Sequence, residues 1–363
     1  MIPIAKPYLN DKEIEAVNSV LQSGLLSQGE ITTKFEDEYS EYINSREAVA
    51  TNSGTSALHT TLLAIGIGPG DEVIVPSFSF IASATAISMC GARPVFIDIE
   101  PTYFTLNPEA ILEAITQKTK AVLGVHLFGQ PFDVQAVQEI CEDRNILLVE
   151  DCAQAHGATY NRKKVGGFGD AGCFSFYSTK NMTSGEGGMI TTDNKGIAEK
   201  SRMIINHGQS EKYYHTMLGF NYRMTNLCAA IGRVQLQKLD AMNDTRKRNA
   251  AFYYKNLDSN LYYLPQVREK CEHVYHQFVL RIREECPLGR EKLMNYLIKN
   301  GIQSAVHYPM PIHSQPLYRS SFQWNCPVAE QTSKDVLSIP VHPGVSEENC
   351  QTICEILNGV KNL

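Results

Sequence analysis

Five short apolar runs, set among stretches with helical spacing, constrain this chain more than any other feature of its sequence. Asp71–Pro76, Pro94–Ile99, Ala121–Phe128, Ile146–Asp151 and Ala171–Phe176 are rich in β-branched and aromatic residues, which suit a pleated, buried surface. Asn52–Ile67, Ser79–Cys90 and Asp133–Arg144 read as helices around and between them. In the last of these Asp133 can cap the first turn, and Ala136, Val137, Ile140 and Cys141 fall on one stripe. Strands that are apolar throughout, rather than alternating, bury both faces, as in parallel βαβ units. The expectation is an α/β protein.

The texture changes after about residue 235. A long polar helix candidate, Leu236–Leu257, leads into a shorter α/β mixture over His276–Arg281, Arg290–Lys299, Val336–Ile339 and Glu347–Leu357. At one domain per ~150 residues, a chain of 363 residues holds about two units. We therefore expect a large domain over 1–240, N-terminal segment included, and a smaller one over 241–363.

Composition narrows the function classes. The net charge of −6, from 33 basic and 39 acidic residues, supplies no field for nucleic acid or an anionic membrane. Apolar runs such as Ala121–Val125 fall far short of the ~20 residues of a membrane helix. The ten cysteines stand singly without a C-x-x-C pair, and Met1–Leu9 does not read as a leader. Reduced thiols, no metal cluster and a cytoplasmic location are expected.

In open α/β sheets ligands gather beyond the carboxyl ends of the strands, so the segments following the runs carry the chemistry. In Thr51–Leu58 a glycine precedes a helix, and the first-turn N–H groups with the Thr55 and Ser56 hydroxyls can cradle a phosphate; plain helix capping explains the same residues equally well. Val149–His156 ends an apolar run in Glu150 and Asp151, with Gln154 three residues on; a solvated loop acid is the bland reading. In Phe174–Asn181, followed by the glycine-rich Ser184–Gly188, Lys180 stands among hydroxyls and can be a desolvated amine that forms a Schiff base, although most lysines are surface groups. In Gly219–Asn226, before a helix expected at Leu227–Leu239, Asn221 and Arg223 can reach an anion or a neighbouring subunit, or simply form a polar loop. Together these groups match one chemistry. A phosphorylated aldehyde cofactor needs an amine, an anion cradle and a carboxylate beside its ring nitrogen, and pyridoxal phosphate answers to all three.

The sequence also resembles a known family, the fold-type I aminotransferases of nucleotide-linked keto sugars (DegT/DnrJ/EryC1/StrS). The resemblance runs from Ile4 to about Val360. It is strongest in SGTSALH (Ser53–His59), GPGDEVIVPSFSFIASA (Gly68–Ala84), VEDCAQAHGA (Val149–Ala158), FSFYSTKNMTSGEGG (Phe174–Gly188) and FNYRMTNLCAAIG (Phe220–Gly232). HYPMPIHSQPLY (His307–Tyr318) and LSIPVHP (Leu337–Pro343) extend it into the tail.

The resemblance implies a mostly parallel mixed sheet sandwiched by helices, with a smaller C-terminal α/β domain. It makes Lys180 the Schiff-base lysine for pyridoxal phosphate and the proton shuttle, and Asp151 the partner of the pyridine nitrogen. It puts Gln154 at the cofactor's 3-hydroxyl oxygen and Phe80, otherwise a core phenylalanine, against its ring. Thr55, Ser56 and Ser175 fall on phosphate-binding positions, and Asn221 on a position that reaches the phosphate from the second subunit of a homodimer with shared sites. Arg223, His307, Tyr308 and His313 become candidate substrate residues. The implied activity is transfer of an amino group, from glutamate through the pyridoxamine form, to an NDP-linked keto-deoxysugar in amino-sugar or polysaccharide biosynthesis.

Gln303–Val306 and His313–Gln315 depart from the family pattern in the sugar-binding half, and the tail is slightly more similar to the 3-amino branch. A dehydratase branch carries histidine where this chain has Lys180. A cofactor-binding regulatory protein of the same fold is the alternative from another class.

Overall fold

The computed structural model describes residues 1–320 and 324–362. Seven strands form the main sheet: β1 (Glu47–Thr51), β2 (Glu72–Pro76), β3 (Arg93–Ile97), β4 (Thr119–Val125), β5 (Leu147–Asp151), β6 (Ala171–Ser175) and β7 (Gly188–Thr192). Their order in space is β1-β7-β6-β5-β4-β2-β3. β7 runs antiparallel to both neighbours, while the pairs from β6 through β5, β4 and β2 to β3 are parallel. The sheet is mostly parallel and mixed, as expected. All five apolar runs are strands, each losing one to three residues at one end, with β3 and β4 beginning one and two residues earlier than expected. β1 and β7 are additions to that set.

Side-chain alternation assigns the two faces. Along β2, Val73 and Val75 pack with Ala57, Leu58 and Leu62 of α3 (Gly54–Ala64), whereas Ile74 packs with Val122, Leu148 and Val137 of α6 (Val134–Arg144). A third cluster joins Phe35 and Tyr39 of α2 (Glu30–Ile43) to Phe174, Phe176 and Leu239. Helix α4 (Ala82–Met89) follows β2, and α1 (Asp11–Ser23), α5 (Pro108–Ala114) and α7 (Lys195–Ile205) complete the cover.

The helices expected at Leu227–Leu239 and Leu236–Leu257 are one element, α8 (Asn226–Asn256), capped by the Thr225 side chain. Its second half buries Met242, Asn243, Arg246, Asn249, Ala250 and Tyr253 at three- and four-residue spacing. Three of these are polar, which blurs the apolar periodicity in the sequence. The expected division at 240/241 therefore falls inside a continuous helix.

Beyond it, β8 (Tyr262–Tyr263), β9 (Phe278–Ile282) and β10 (Val336–Ile339) form an antiparallel sheet. Against it pack α9 (Arg290–Lys299) and α10 (Glu347–Gly359) around Tyr253, Phe278, Leu297 and Leu357. Sequence halves are not spatial halves. Ile2 pairs with Ile302 and packs on this second core, while Ile312, Tyr318 and Ala329 pack on the first. Among the described residues, no helix is long and apolar enough to cross a membrane.

Gly232, in the first half of α8, meets α2 closely: a Cβ there would lie 2.6 Å from the ring of the fully buried Phe35. In Gly232→Ala the helix gains about 0.5–1 kcal/mol, but overpacking costs about 1–3 kcal/mol. We expect a net destabilisation of about 1 kcal/mol, read as a lower urea midpoint at unchanged slope. A higher midpoint would contradict this packing.

Candidate active site

Parallel strands bring their carboxyl ends to one edge of the sheet, and the chain leaves that edge at Thr51, Pro76, Asp151 and Ser175. The loops that follow enclose a cavity of about 420 Å³. Of the residues singled out from sequence, Thr55, Phe80, Asp151, Gln154, Ser175, Lys180, His307 and Tyr308 line it.

Lys180, Asp151 and Glu186 are its charged residues, and the first two act on each other's proton affinity. Asp151 ends β5 and is 5% exposed. Its Oδ2 accepts from Ser83 Oγ at 2.8 Å and its Oδ1 from the Ala153 N–H at 3.1 Å. Ser83 in turn bonds Ser79 Oγ at 3.0 Å. Burial raises the Asp151 carboxyl above its ordinary range, against the pull of Ser83, Ala153, Lys180 and His126. Desolvation lowers the Lys180 amine to about 8, with the Asp151 charge opposing the shift. A carboxylate with two neutral donors and one nearby amine still gains from a further cation beside it.

The anion cradle is the start of α3. Ser53 caps it by accepting from the Ser56 N–H, and the preceding N–H groups of Gly54 and Thr55 stand at the positive end of the helix. Ser175 reaches the same place from β6. A Cβ on Gly54 would lie 2.6 Å from Ser175 Cβ, so only glycine lets the two segments meet. Phe80, against the core reading, is 53% exposed and faces the cavity, with its ring centroid 6.1 Å from that of Tyr308. Gln154 is fixed at both ends: Oε1 accepts from the Phe128 N–H at 2.8 Å, and Nε2 donates to Tyr308 Oη at 2.9 Å. His307 Nδ1 bonds Ser338 Oγ at 2.8 Å, and burial together with Lys180 lowers this imidazole to about 4, so it is neutral at pH 7.

Four predicted residues lie elsewhere. The Ser56 hydroxyl is taken up by Asn52 Oδ1 at 2.7 Å and by Ser53 Oγ at 2.8 Å, within the cap itself. Arg223 donates to Asn206 Oδ1 at 2.6 Å. Asn221 is exposed and accepts from Asn52 through its backbone carbonyl. His313 is buried beside Glu330, 3.2 Å away. Conversely, the cavity includes Ser79, Glu186, His276 and Gln277, and Ser83 stands behind Asp151. Ser79 lies in the turn before α4 and Ser83 in its first turn, with their hydroxyls 3.0 Å apart. Nothing in the HVYHQF segment separates the cavity-lining His276 from a core histidine.

Residues 7–358 match the model of the DegT/DnrJ/EryC1/StrS aminotransferase family. The chain belongs to this family. A family relative, the pleiotropic regulatory protein of Geobacillus stearothermophilus, is 37% identical and aligns with 98% of this chain and 96% of its own length. The GDP-perosamine synthase of Escherichia coli O157:H7 is 38% identical over 98% of both chains. Spr1654 of Streptococcus pneumoniae, solved in a PLP form, superposes with a TM-score of 0.94 at 29% identity, covering 99% of this chain and 98% of that one.

The family's cofactor is pyridoxal phosphate, and the residues in the cavity fit it. The glycine-dependent cradle of Gly54, Thr55 and Ser175 suits the phosphate. The under-compensated Asp151 suits a protonated ring nitrogen, Phe80 a flat ring, and the Lys180 amine an aldehyde.

In cofactor-free enzyme, amine-directed labelling of Lys180 should show a midpoint near pH 8, about two units below an ordinary lysine. Asp151 favours the charged amine, so Asp151→Asn should move that midpoint lower. A midpoint that stays or rises would remove the pairing.

Proposed function

We infer that the protein transfers an amino group from an amino-acid donor, glutamate, to the keto carbon of a nucleotide-linked deoxysugar. The observation that carries this reading is the placement of Lys180, Asp151 and the Gly54–Ser175 cradle in one cavity of an aminotransferase-family chain. The Escherichia coli relative, named for the synthesis of a GDP-linked sugar, supports the substrate class. Bound pyridoxal phosphate supplies a carbonyl that accepts the amino group and a ring that acts as an electron sink.

The chain's own residues do the rest. The α3 start, Thr55 and Ser175 hold the phosphate, and Phe80 fixes the plane of the ring. Asp151 keeps the ring nitrogen protonated, since a buried carboxylate favours a cation beside it. Lys180 Nζ, with an affinity for protons near neutrality, takes a proton at one carbon and returns it at another. Tyr308 and His307 enter from the tail over the open side, where the sugar would lie. A cytoplasmic location is supported by ten free cysteines, eight of them buried.

Lys180→Ala should bind cofactor without its covalent hold and lose about 10²–10⁴-fold in turnover, read by single-turnover amination of a panel of 3-keto and 4-keto sugar nucleotides. Wild-type enzyme whose bound cofactor responds to glutamate but which aminates none of the panel would favour the regulatory alternative instead. Turnover by Lys180→Ala close to wild type would overturn the assignment.

We further infer a homodimer in which Asn221 serves the partner's phosphate site. It is supported by the exposed Asn221, and by Tyr213 and Leu218, 82% and 81% exposed on the preceding loop. Mixing inactive Lys180→Ala with inactive Asn221→Ala chains should restore partial activity, because a heterodimer then holds one site with both residues. Heterodimers seen by mass spectrometry but without activity would contradict it.

A further inference from the structure

His276 lines the cavity beside Lys180, and a chain of hydrogen bonds behind it decides which of its ring nitrogens carries the proton. The chain starts at two backbone carbonyls, which can only accept. Asn243 Nδ2 donates to the His156 carbonyl at 2.8 Å, so Asn243 turns its Oδ1 the other way. That Oδ1 accepts from Asn181 Nδ2 at 2.8 Å, and the same Asn181 amide donates to the Val274 carbonyl at 3.0 Å. Both amide orientations are therefore set by main-chain acceptors. Asn181 is left with Oδ1, an acceptor, facing His276 Nδ1 at 3.3 Å. His276 must donate through Nδ1, and its Nε2 keeps a lone pair for the cavity.

The ring stays neutral. Burial lowers its affinity for a proton well below the ordinary value, and Lys180, Arg246, His307 and His156 oppose its charging as well. The Arg246 guanidinium lies under the same turn and donates to the Tyr275 and His276 carbonyls at 3.1 and 3.4 Å.

We propose that His276 Nε2 is a fixed hydrogen-bond acceptor that selects a keto sugar bearing a hydroxyl on the carbon next to the reacting carbonyl. The proposal rests on the sugar-nucleotide reading above. His276 and Lys180 line the same cavity, so a sugar whose carbonyl lies at Lys180 brings the hydroxyl of the next carbon toward Nε2. A neutral acceptor there gains from a hydroxyl donor and gains nothing from a methylene. A built acceptor left unpaired costs binding, so the deoxy analogue is rejected. Asn181 and Asn243 are positioning residues: they touch no ligand and act by holding the tautomer.

The test separates the two half-reactions on the holoenzyme. His276→Leu should lower kcat/KM for the keto-sugar half by about 10–100-fold, the range of one to two unmade hydrogen bonds. It should leave the glutamate half within about twofold, since the donor presents no such hydroxyl. His276→Gln, whose Oε1 can stand near the Nε2 position, should recover much of the loss. Wild type should disfavour the deoxy analogue by the same factor, and His276→Leu should not distinguish the two sugars. Nitrogen-15 histidine spectra of the holoenzyme should report His276 as the Nδ1–H tautomer.

Equal losses in both halves, continued discrimination by His276→Leu, or an Nε2–H tautomer would each overturn the proposal. Failure of wild type on every keto sugar would overturn the parent reading instead, and the tautomer measurement tells the two failures apart.

Discussion

Desolvation of opposite charges at the end of β5 is the constraint around which the site is built. Glu150 and Asp151 are consecutive residues on one strand, both buried, and they shift in opposite directions. Burial pushes Glu150 up, but the His126 hydrogen bond and charge and the N–H groups of Gly166 and Gly169 outweigh it, so its carboxyl sits below the ordinary range. Its oxygens accept from His126 at 3.0 Å and from Gly166, Phe168 and Gly169 at 2.7–2.9 Å. Glu150 is saturated and structural, tying the loop before β6 to β5. Asp151, one residue on and across the sheet, receives two neutral donors and stays raised. Strand alternation alone turns one acid into a staple and the other into a group that still needs a cation.

That requirement organises elements far apart in sequence. The amine comes from the loop after β6 and the cradle from the loop after β1, while Ser83, which holds Asp151, comes from α4. His276, which leads into β9, and His307, which bonds Ser338 of β10, bring the second sheet to the cavity, and Tyr308 joins them while packing on the first core. α8 lets these two halves share a cavity, because it packs on α2 at Gly232 and reaches the second core at Tyr253. Its buried polar stripe, Asn243 with Arg246 and Asn249, bonds the main chain at His156, Tyr275 and Val341. A polar stripe of this kind fixes one orientation of the second unit more selectively than an apolar one would.

The sequence was legible where chemistry follows a strand. Five continuous apolar runs marked buried strands, with Asp151 at the end of one and Lys180 just beyond another. β1 and β7 escaped because EAVAT and GMITT are five-residue stretches broken by small and polar residues, and their strand state comes from pairing, β7 lying between β1 and β6. α8 was read as two helices because Asn243, Arg246 and Asn249 occupy core-facing positions. Ser56 looked like an anion ligand because a cap and a cradle use the same residue types, and here its hydroxyl closes the cap. Phe80 was recognisable only through the family's motif; its composition and spacing suited a core. His276 left no local trace, since its role depends on two asparagines 95 and 33 residues away along the chain.

In the proposed function this pair of charges receives pyridoxal phosphate, with Lys180 as its anchor. Borohydride reduction of the holoenzyme followed by peptide mass spectrometry tests it most directly. The account predicts a pyridoxyl group fixed to the peptide containing Lys180, in wild type and absent from Lys180→Ala. A group fixed to another lysine, or to none while cofactor remains bound, would contradict it.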